Sequence, residues 1–231
     1  MNTDIEPDRS AIIRDALGIG IATGAYGLSF GAISVASGLS MLQTCALSLL
    51  LFSGGSQFAL VGVLGAGGSP VAAAGTAILL GSRNALYGLR LAPLLRVRGL
   101  RRVGAAQLVI DESTAMAVGR DSARAARLGF WATGLSVFVL WNLGTVLGGL
   151  GARSLNDPRV LGLDAAAPAA FLALLAPRMR SREPWVIALT AALVALVAAP
   201  FVPAGVPVLL AAATAAVLVL RARRDTTAAA K

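Results

Sequence analysis

Leu49–Gly62, LLLFSGGSQFALVG, places two glycines, two serines and a glutamine in the middle of an apolar run. The run covers about residues 42–64 and is long enough to cross a bilayer, which takes about 20 apolar residues in a helix. Adjacent glycines each cost a helix roughly 1 kcal/mol relative to alanine, and lipid offers a loosened backbone no hydrogen-bond partners. The pattern predicts a helix broken near Ser53 that is buried in protein or lines a wet cavity. The alternative is a tight helix crossing that needs glycine.

The composition indicates an integral membrane protein. Hydrophobic residues make up 57% of the 231 residues and charged residues only 13%, which is more apolar surface than a soluble domain of this length could bury. We expect an all-α, polytopic helix bundle in the lipid bilayer. Residues 1–231 should form one transmembrane domain, with an N-terminal tail at 1–16 and a C-terminal tail at 221–231.

Apolar runs long enough to span the bilayer occur seven times, and an eighth run is weaker. The weaker run, 103–119, carries Asp111 and Glu112. The seven stronger runs fall at about 17–37, 42–64, 71–95, 128–150, 160–177, 185–200 and 205–220.

Four arginine clusters between these runs indicate the topology, because cytoplasmic loops are rich in arginine and lysine. They lie at Arg96–Arg102, Arg120–Arg127, Arg178–Arg182 and Arg221–Arg224. If 103–119 enters and returns, seven spans place all four clusters inside and the acidic N-terminal tail outside, and charge counting favours this version. If 103–119 crosses, eight spans leave both ends cytoplasmic but turn the first cluster outward. Both versions place the C-terminus in the cytoplasm.

The residue types that are missing exclude most catalytic chemistry. The sequence has no histidine, which removes Ser-His and Cys-His nucleophiles and histidine metal sites. Its one cysteine, Cys45, lies in an apolar run, and its one lysine is Lys231. We therefore expect no enzyme activity, cofactor or metal site. The net charge of +9 does not indicate a nucleic-acid partner, because apolar runs separate the arginine clusters.

Small residues form stripes along two of the predicted helices. One stripe follows the first apolar run, and Gly144 and Gly148 form a second patch. Stripes of this kind let helix backbones approach closely in lipid, so both faces need a partner helix. No internal repeat is evident. The first stripe consists of Gly20, Gly24, Gly27, Gly31, Ser34 and Gly38.

Arg83 lies near the centre of the run 71–95, with Tyr87 and Arg90 on the same helix face. A central arginine costs about 2.5–3.5 kcal/mol on insertion scales, so Arg83 should face the protein interior and be paired. Arg90 is nearer the end of the run and could reach the interface.

Carboxyl groups for such a pair occur in QLVIDESTAMAVG. Asp111 and Glu112 are adjacent, so they point about 100° apart on a helix. One could pair with Arg83 or with a substrate ammonium group while the other faces a loop or caps the next turn. Asp164 is read as a helix N-cap, with Pro168 in or near the first turn.

Taken together, FSGGSQF, RNALYG, DES and GLDAAAPAAFLALLAP resemble the AzlC-type branched-chain amino acid permease family, in order, from about residue 17 to 180. The resemblance implies the large subunit of an inner-membrane exporter of valine, leucine, isoleucine and sometimes methionine, working with a small AzlD-type membrane subunit. Many relatives carry a histidine directly after the arginine and often an asparagine two residues before it. Here those positions are Asn84 and Gly81, which leaves no protonatable histidine in the site.

The residues and the resemblance lead to one hypothesis for a zwitterionic substrate. Backbone groups near Gly54 or the Arg83 side chain would bind its carboxylate, Asp111 or Glu112 its ammonium group, and Phe30, Phe52 or Phe58 its side chain. A structural or assembly subunit is the alternative, and an intramembrane aspartyl protease using Asp111 and Asp164 is a remote one. The predicted substrate-binding residues are Gly54, Gly55, Ser56, Gln57, Arg83, Asn84, Tyr87, Asp111 and Glu112.

Overall fold

The computed structural model describes residues 8–154 and 179–229, together with residues 172, 175 and 176. Regular structure in these residues is entirely helical, as predicted. The predicted span 160–177, apart from three residues, and the Asp164 cap lie outside the described residues. The helices are α1 (Arg9–Ala36), α2 (Met41–Leu50), α3 (Gly54–Gly65), α4 (Pro70–Leu95), α5 (Leu100–Gln107), α6 (Asp111–Val118), α7 (Ala123–Ser154), α8 (Arg182–Ala198) and α9 (Val206–Ala229).

The two long helices α1 and α7 pack side by side along the glycine stripes. A Cβ atom built on Gly24 would lie 3.1 Å from the Leu140 carbonyl oxygen, and one on Gly27 would lie 2.6 Å from that of Trp141. Contacting residue numbers rise together along the two helices, so α1 and α7 run parallel. The contact confirms the first stripe from Gly20 to Gly31 and the patch of Gly144 and Gly148 as one close helix contact. The stripe does not continue as predicted, because the Ser34 hydroxyl lies 2.8 Å from that of Thr44 on α2, and Gly38 lies beyond α1 with no atom within 4 Å of a built Cβ.

The segment 42–64 is broken at 51–53, between α2 and α3, as the two glycines predicted. Its two arms return to the same end of the molecule. Gly65, the last residue of α3, lies so close to Ser37, just after α1, that a Cβ atom there would sit 2.6 Å from the Ser37 Oγ. The Gln57 Nε2 donates to the Leu47 carbonyl oxygen at 2.9 Å and ties one arm to the other. The expectation that this segment crosses from end to end is therefore wrong.

The segment 103–119 is also broken, at 108–110 between α5 and α6, and it also returns. Arg120, just after α6, pairs with Asp15 near the start of α1 at 3.3 Å. Arg127 donates its Nε to the carbonyl oxygen of Leu94, at the end of α4, at 3.0 Å. Both ends of the α5–α6 segment therefore lie at one end of the molecule. We call it the basic end, because it holds Arg96–Arg102 and Arg120–Arg127, and we call the opposite end the far end.

This geometry confirms that 103–119 enters and returns, and it corrects the predicted placement of the N-terminal tail. The seven-span version places Asp15 on the opposite side of the membrane from Arg120, yet the two side chains form an ion pair. The reason is that 42–64 returns as well, so only α1 and α4 separate the N-terminal tail from the first arginine cluster. The counts of seven and eight spans both included 42–64 as a crossing, so both are too high. Whether 160–177 crosses and on which side the C-terminus lies stay predictions.

The six helices α1–α6 form two equivalent halves that the sequence did not reveal. Each half is a long helix followed by two half-helices. The connecting segments have the same lengths in both halves, 37–40, 51–53 and 66–69 against 96–99, 108–110 and 119–122. The first broken pair enters from the far end and the second from the basic end. The Gln107 Nε2 donates to the Leu49 carbonyl oxygen at 2.7 Å, so the inner tips of the two pairs touch.

The outer surface is apolar and suits contact with lipid. By length and composition, α1 and α7 are the described helices that could each cross a membrane alone. On α8, the side chains of Leu189, Leu193 and Leu196 are all more than half exposed. The turn between α8 and α9 packs on the far end, where a Cβ atom on Gly205 would lie 2.9 Å from the Val63 side chain.

Candidate functional site

A cavity of about 190 Å³ lies where the inner tips of the two broken pairs meet α1, α4 and α7. Thr23, Arg83 and Val137 each lie within two residues of the midpoint of their long helix, so the cavity is at mid-depth in the bundle. Its volume is below the roughly 300–1,000 Å³ of pockets for drug-sized ligands, which suits a small ligand. The lining residues are Thr23, Tyr26, Phe52, Ser53, Gly54, Gly55, Phe58, Arg83, Asn84, Ile110, Asp111, Glu112, Val137 and Trp141.

The first helix end in the cavity is the N-terminus of α3, which is bare. Ser53 is the N-cap residue, but its side chain makes no capping hydrogen bond to the helix backbone. Its hydroxyl instead lies 3.1 Å from that of Ser56. The N–H groups of the first turn have no partners within the helix, and Gly54 and Gly55 add no side chains to cover them. A bare helix N-terminus carries partial positive charge and binds anions.

The second helix end is the N-terminus of α6, which carries the two carboxyl groups. Asp111 accepts from an Arg83 guanidinium nitrogen at 2.7 Å through one oxygen and from the Tyr87 hydroxyl at 2.7 Å through the other. The predicted pairing of Arg83 is therefore confirmed. The Arg83 and Asp111 side chains are 35% and 21% exposed. Both oxygens of Asp111 are therefore already in use.

Glu112 lines the same cavity but has a different environment. Among the described residues, the two ion pairs are Arg83–Asp111 and Arg120–Asp15, and neither involves Glu112. The adjacent carboxyl groups differ because successive residues on a helix point about 100° apart. Asp111 turns toward α4, and Glu112 is left as the carboxyl group without a cation.

Aromatic rings form the apolar wall of the cavity. Phe58 packs edge-on against Trp141, with ring centroids 6.1 Å apart. Phe30 stacks on Trp141 at 6.0 Å and lies behind the lining, whereas Phe52 and Phe58 line the cavity as the hypothesis expected. The wall fits an apolar side chain of limited length.

Three buried polar atoms of lining residues have no hydrogen-bond partner in the part of the chain that the structure describes. They are the Arg83 Nε, the Trp141 Nε1 and the Asn84 Oδ1. Buried polar groups are nearly always paired in folded proteins. Gln57, Thr114, Thr133 and Ser136, which do not line the cavity, also carry such atoms, so the unpaired atoms do not by themselves mark a ligand site.

Six of the nine predicted site residues line the cavity, and the other three lie behind it. Gln57 holds the arms of the first broken pair together, Tyr87 donates to Asp111, and the Ser56 hydroxyl lies beside that of Ser53. Direct contact of any of the nine with a substrate stays a prediction. Arg90 is exposed, as the sequence allowed.

Four of the lining residues that the sequence analysis missed come from the long helices, and Ile110 comes from the break between α5 and α6. Thr23 and Tyr26 lie among the glycines of α1, and Val137 and Trp141 lie in α7. The polar atoms of Thr23 and Tyr26 at the middle of an apolar run were a usable signal, but Val137 had none. The described residues give no support to the intramembrane aspartyl protease alternative, because Asp111 is paired with Arg83 and Asp164 lies outside the described residues.

In the described residues, the fold and the site define a helical membrane protein with a small cavity at mid-depth, lined by apolar side chains and a few charged and polar groups. The family model described as "AzlC protein" matches residues 18–155, and the chain belongs to this family. The chain is also similar to the inner membrane protein YgaZ of Escherichia coli (strain K12), with 28% identity over 197 residues that cover 80% of this chain and 78% of that protein. No solved structure gives a significant match.

Proposed function

We propose that the chain is a secondary transporter that exports small amino acids with apolar side chains across the inner membrane. One observation carries the proposal: a small cavity at mid-depth holds a bare helix N-terminus, an acid-bearing helix N-terminus and an aromatic wall. Broken helices with their N-termini at the midplane are typical of secondary transporters. The proposal gives the chain no catalytic role.

The three groups of an amino acid fit three parts of the cavity. Its carboxylate would accept hydrogen bonds from the first turn of α3 at Gly54 and Gly55, because that end is bare and positive. Arg83 is a weaker candidate for this role, since Asp111 already occupies it. The ammonium group would lie at the carboxyl groups of α6, and the apolar side chain against Phe58 and Trp141.

Branched-chain substrates and a small AzlD-type subunit are part of the proposal on the strength of the family. An apolar wall separates substrates that differ by one methylene by only about 1–3 kcal/mol, so valine, leucine and isoleucine should all be accepted. We also assign the basic end to the cytoplasm, because Arg96–Arg102 and Arg120–Arg127 both lie there. The C-terminus would be cytoplasmic as well.

Counterflow of labelled leucine, valine and isoleucine in proteoliposomes tests the proposal, with and without the small subunit. Arg83→Ala should abolish counterflow, because it removes a lining residue and the partner of Asp111. Arg90→Ala is the matched control, since Arg90 lies on the same helix but is exposed. Absence of counterflow in the wild type, with the subunit present, would favour a structural or assembly role. Equal counterflow by the two variants would remove Arg83 from the site.

A further inference from the structure

Glu112 and Asp111 lie side by side in the cavity but can do different things. Asp111 is bound through both oxygens, at 2.7 Å to Arg83 and at 2.7 Å to Tyr87. Its charge is already neutralised by Arg83, and Tyr87 occupies the other oxygen. Glu112 has no ion pair in the part of the chain that the structure describes. It is therefore the carboxyl group of the cavity that can pair with a ligand cation without displacing a protein cation.

The equivalence of the two halves shows how the site acquires opposite charges at its two ends. Ser56 is the third residue of α3, and Ser113 is the third residue of α6. With these serines matched, Gly54 and Gly55 correspond to Asp111 and Glu112. The first helix end keeps its bare N–H groups, and the second carries two carboxyl groups, of which Arg83 neutralises one. One negative charge remains for a cation.

The ionisable groups around Glu112 leave room for one exchangeable cation. Arg83 on α4 lines the cavity but is held by Asp111, the neighbour of Glu112 on α6. Tyr26 on α1 also lines the cavity, and Tyr87 on α4 is bound to Asp111. The lining residues from the breaks 51–53 and 108–110 and from α3 and α7 do not titrate. Glu112 is partly buried, and a carboxylate withdrawn from water is stabilised by a cation partner. Under the proposed function, the cations that reach it are the substrate's ammonium group and a proton.

We propose that the Glu112 carboxyl group binds the substrate's ammonium group when the cavity is loaded and a proton when it is empty, so that the chain exchanges an amino acid for a proton. The inference rests on the proposed function. The amino acid enters with its ammonium group already charged. Its arrival displaces the proton from the Glu112 oxygen to water, and its departure lets a proton return. No covalent bond to the substrate forms, and the two cations exclude each other at one oxygen pair.

Proton release on ligand binding tests the exchange directly. The purified full-length chain is placed in weakly buffered detergent solution with a pH indicator, and L-leucine is added over a series of starting pH values. We expect about one proton released per leucine bound where the empty site is protonated. 4-Methylpentanoate, which has the carboxylate and the side chain but no amino group, should release none. Leucine that binds with no proton release at any pH overturns the exchange but leaves the proposed function standing.

Variants of the two described glutamates separate Glu112 from other sources of protons. Glu112→Gln should weaken leucine binding by about tenfold to a hundredfold, as for loss of a hydrogen bond to a charged group, and should abolish proton release. It should leave binding of 4-methylpentanoate within about threefold. Glu112→Asp keeps the charge and should retain the release. Glu183→Gln, at the exposed start of α8, should match the wild type in every measurement.

Three outcomes overturn the assignment. Proton release that survives in Glu112→Gln places the exchange on another group. A Glu112→Gln variant that loses both ligands equally means that Glu112 supports the cavity and does not bind the ammonium group. Failure of the wild type to bind leucine even with the small subunit present refutes the proposed function, and the exchange is refuted with it. The proton measurement on the wild type holds even if a variant fails to fold.

Discussion

The Arg83–Asp111 pair gives the most specific stability prediction, because it joins α4 to α6 at mid-depth within the second half of the molecule. The guanidinium nitrogen and the carboxylate oxygen are 2.7 Å apart, with the side chains 35% and 21% exposed. Two charges 4 Å apart attract by about 4 kcal/mol at the effective dielectric constant of a protein surface. Removing one partner of a fully buried pair costs about 3–5 kcal/mol. Partial exposure reduces both figures, so each single substitution should cost about 2–3 kcal/mol.

A double-mutant cycle isolates this interaction. Arg83→Ala leaves a lone carboxylate and Asp111→Asn leaves a lone guanidinium, whereas the double variant leaves neither charge. We therefore expect the double variant to lose about as much stability as either single variant, a coupling of about 2 kcal/mol. Unfolding by sodium dodecyl sulfate in mixed micelles, followed by tryptophan fluorescence, measures the free energy. Arg90→Ala should stay within about 0.5 kcal/mol of the wild type, as an exposed position does.

Additivity of the two substitutions would refute the reasoning. Distant sites add within about 0.3–0.5 kcal/mol, so a coupling of that size would mean that Arg83 and Asp111 do not interact in the folded protein. A double variant less stable than both singles by several kcal/mol would have the same meaning. The same measurement on Tyr87→Phe should show a loss of about 1 kcal/mol, because one hydrogen bond to Asp111 is removed.

Three further predictions concern the helices that build the site. Gly27→Leu should cut the yield of folded protein, since a Cβ atom there already lies 2.6 Å from a carbonyl oxygen of α7, whereas Gly18→Leu, with nothing within 4 Å, should not. In a cysteine-free background, cysteines at Ser37 and Gly65 should form a disulfide in the membrane on mild oxidation. Failure to cross-link would contradict the return of α3 to the far end. Gln57→Leu should cost about 0.5–1.5 kcal/mol by thermal unfolding, because the hydrogen bond between the two arms is lost while the Leu47 carbonyl oxygen keeps the Leu51 N–H; an unchanged melting temperature would mean that this bond does not hold the arms.

The local chemistry of the site could be predicted from the sequence because lipid tolerates few arrangements of polar side chains and loosened backbone. Two glycines at the middle of an apolar run had to mark a break or a close contact, and the break lies at 51–53. An arginine at the middle of another run had to find a carboxylate, and Arg83 found Asp111. The sequence left open whether Asp111 or Glu112 would pair with Arg83, because adjacent residues point to different faces of a helix.

The path of the chain could not be predicted in the same way. A run of about 23 apolar residues satisfies the length and hydropathy of a crossing, and the same residues satisfy a pair of half-helices that turns back. The choice depends on contacts between distant residues, such as Gly65 against Ser37. The two halves resemble each other in the lengths of their connecting segments more than in their residues. This is why the sequence showed no evident repeat. The sequence analysis missed Trp141 as a lining residue, because the packing of α7 against α1 decides which face of α7 points into the cavity.

An experimental structure of the chain with L-leucine bound tests the central claim most directly. The claim is that the N-termini of α3 and α6 form one site for a small zwitterion at mid-depth. It predicts the leucine carboxylate at about 2.7–3.2 Å from backbone N–H groups of Gly54 to Ser56, and the ammonium group at a similar distance from Glu112. Leucine bound elsewhere, or reversed with its ammonium group at α3, would contradict the account.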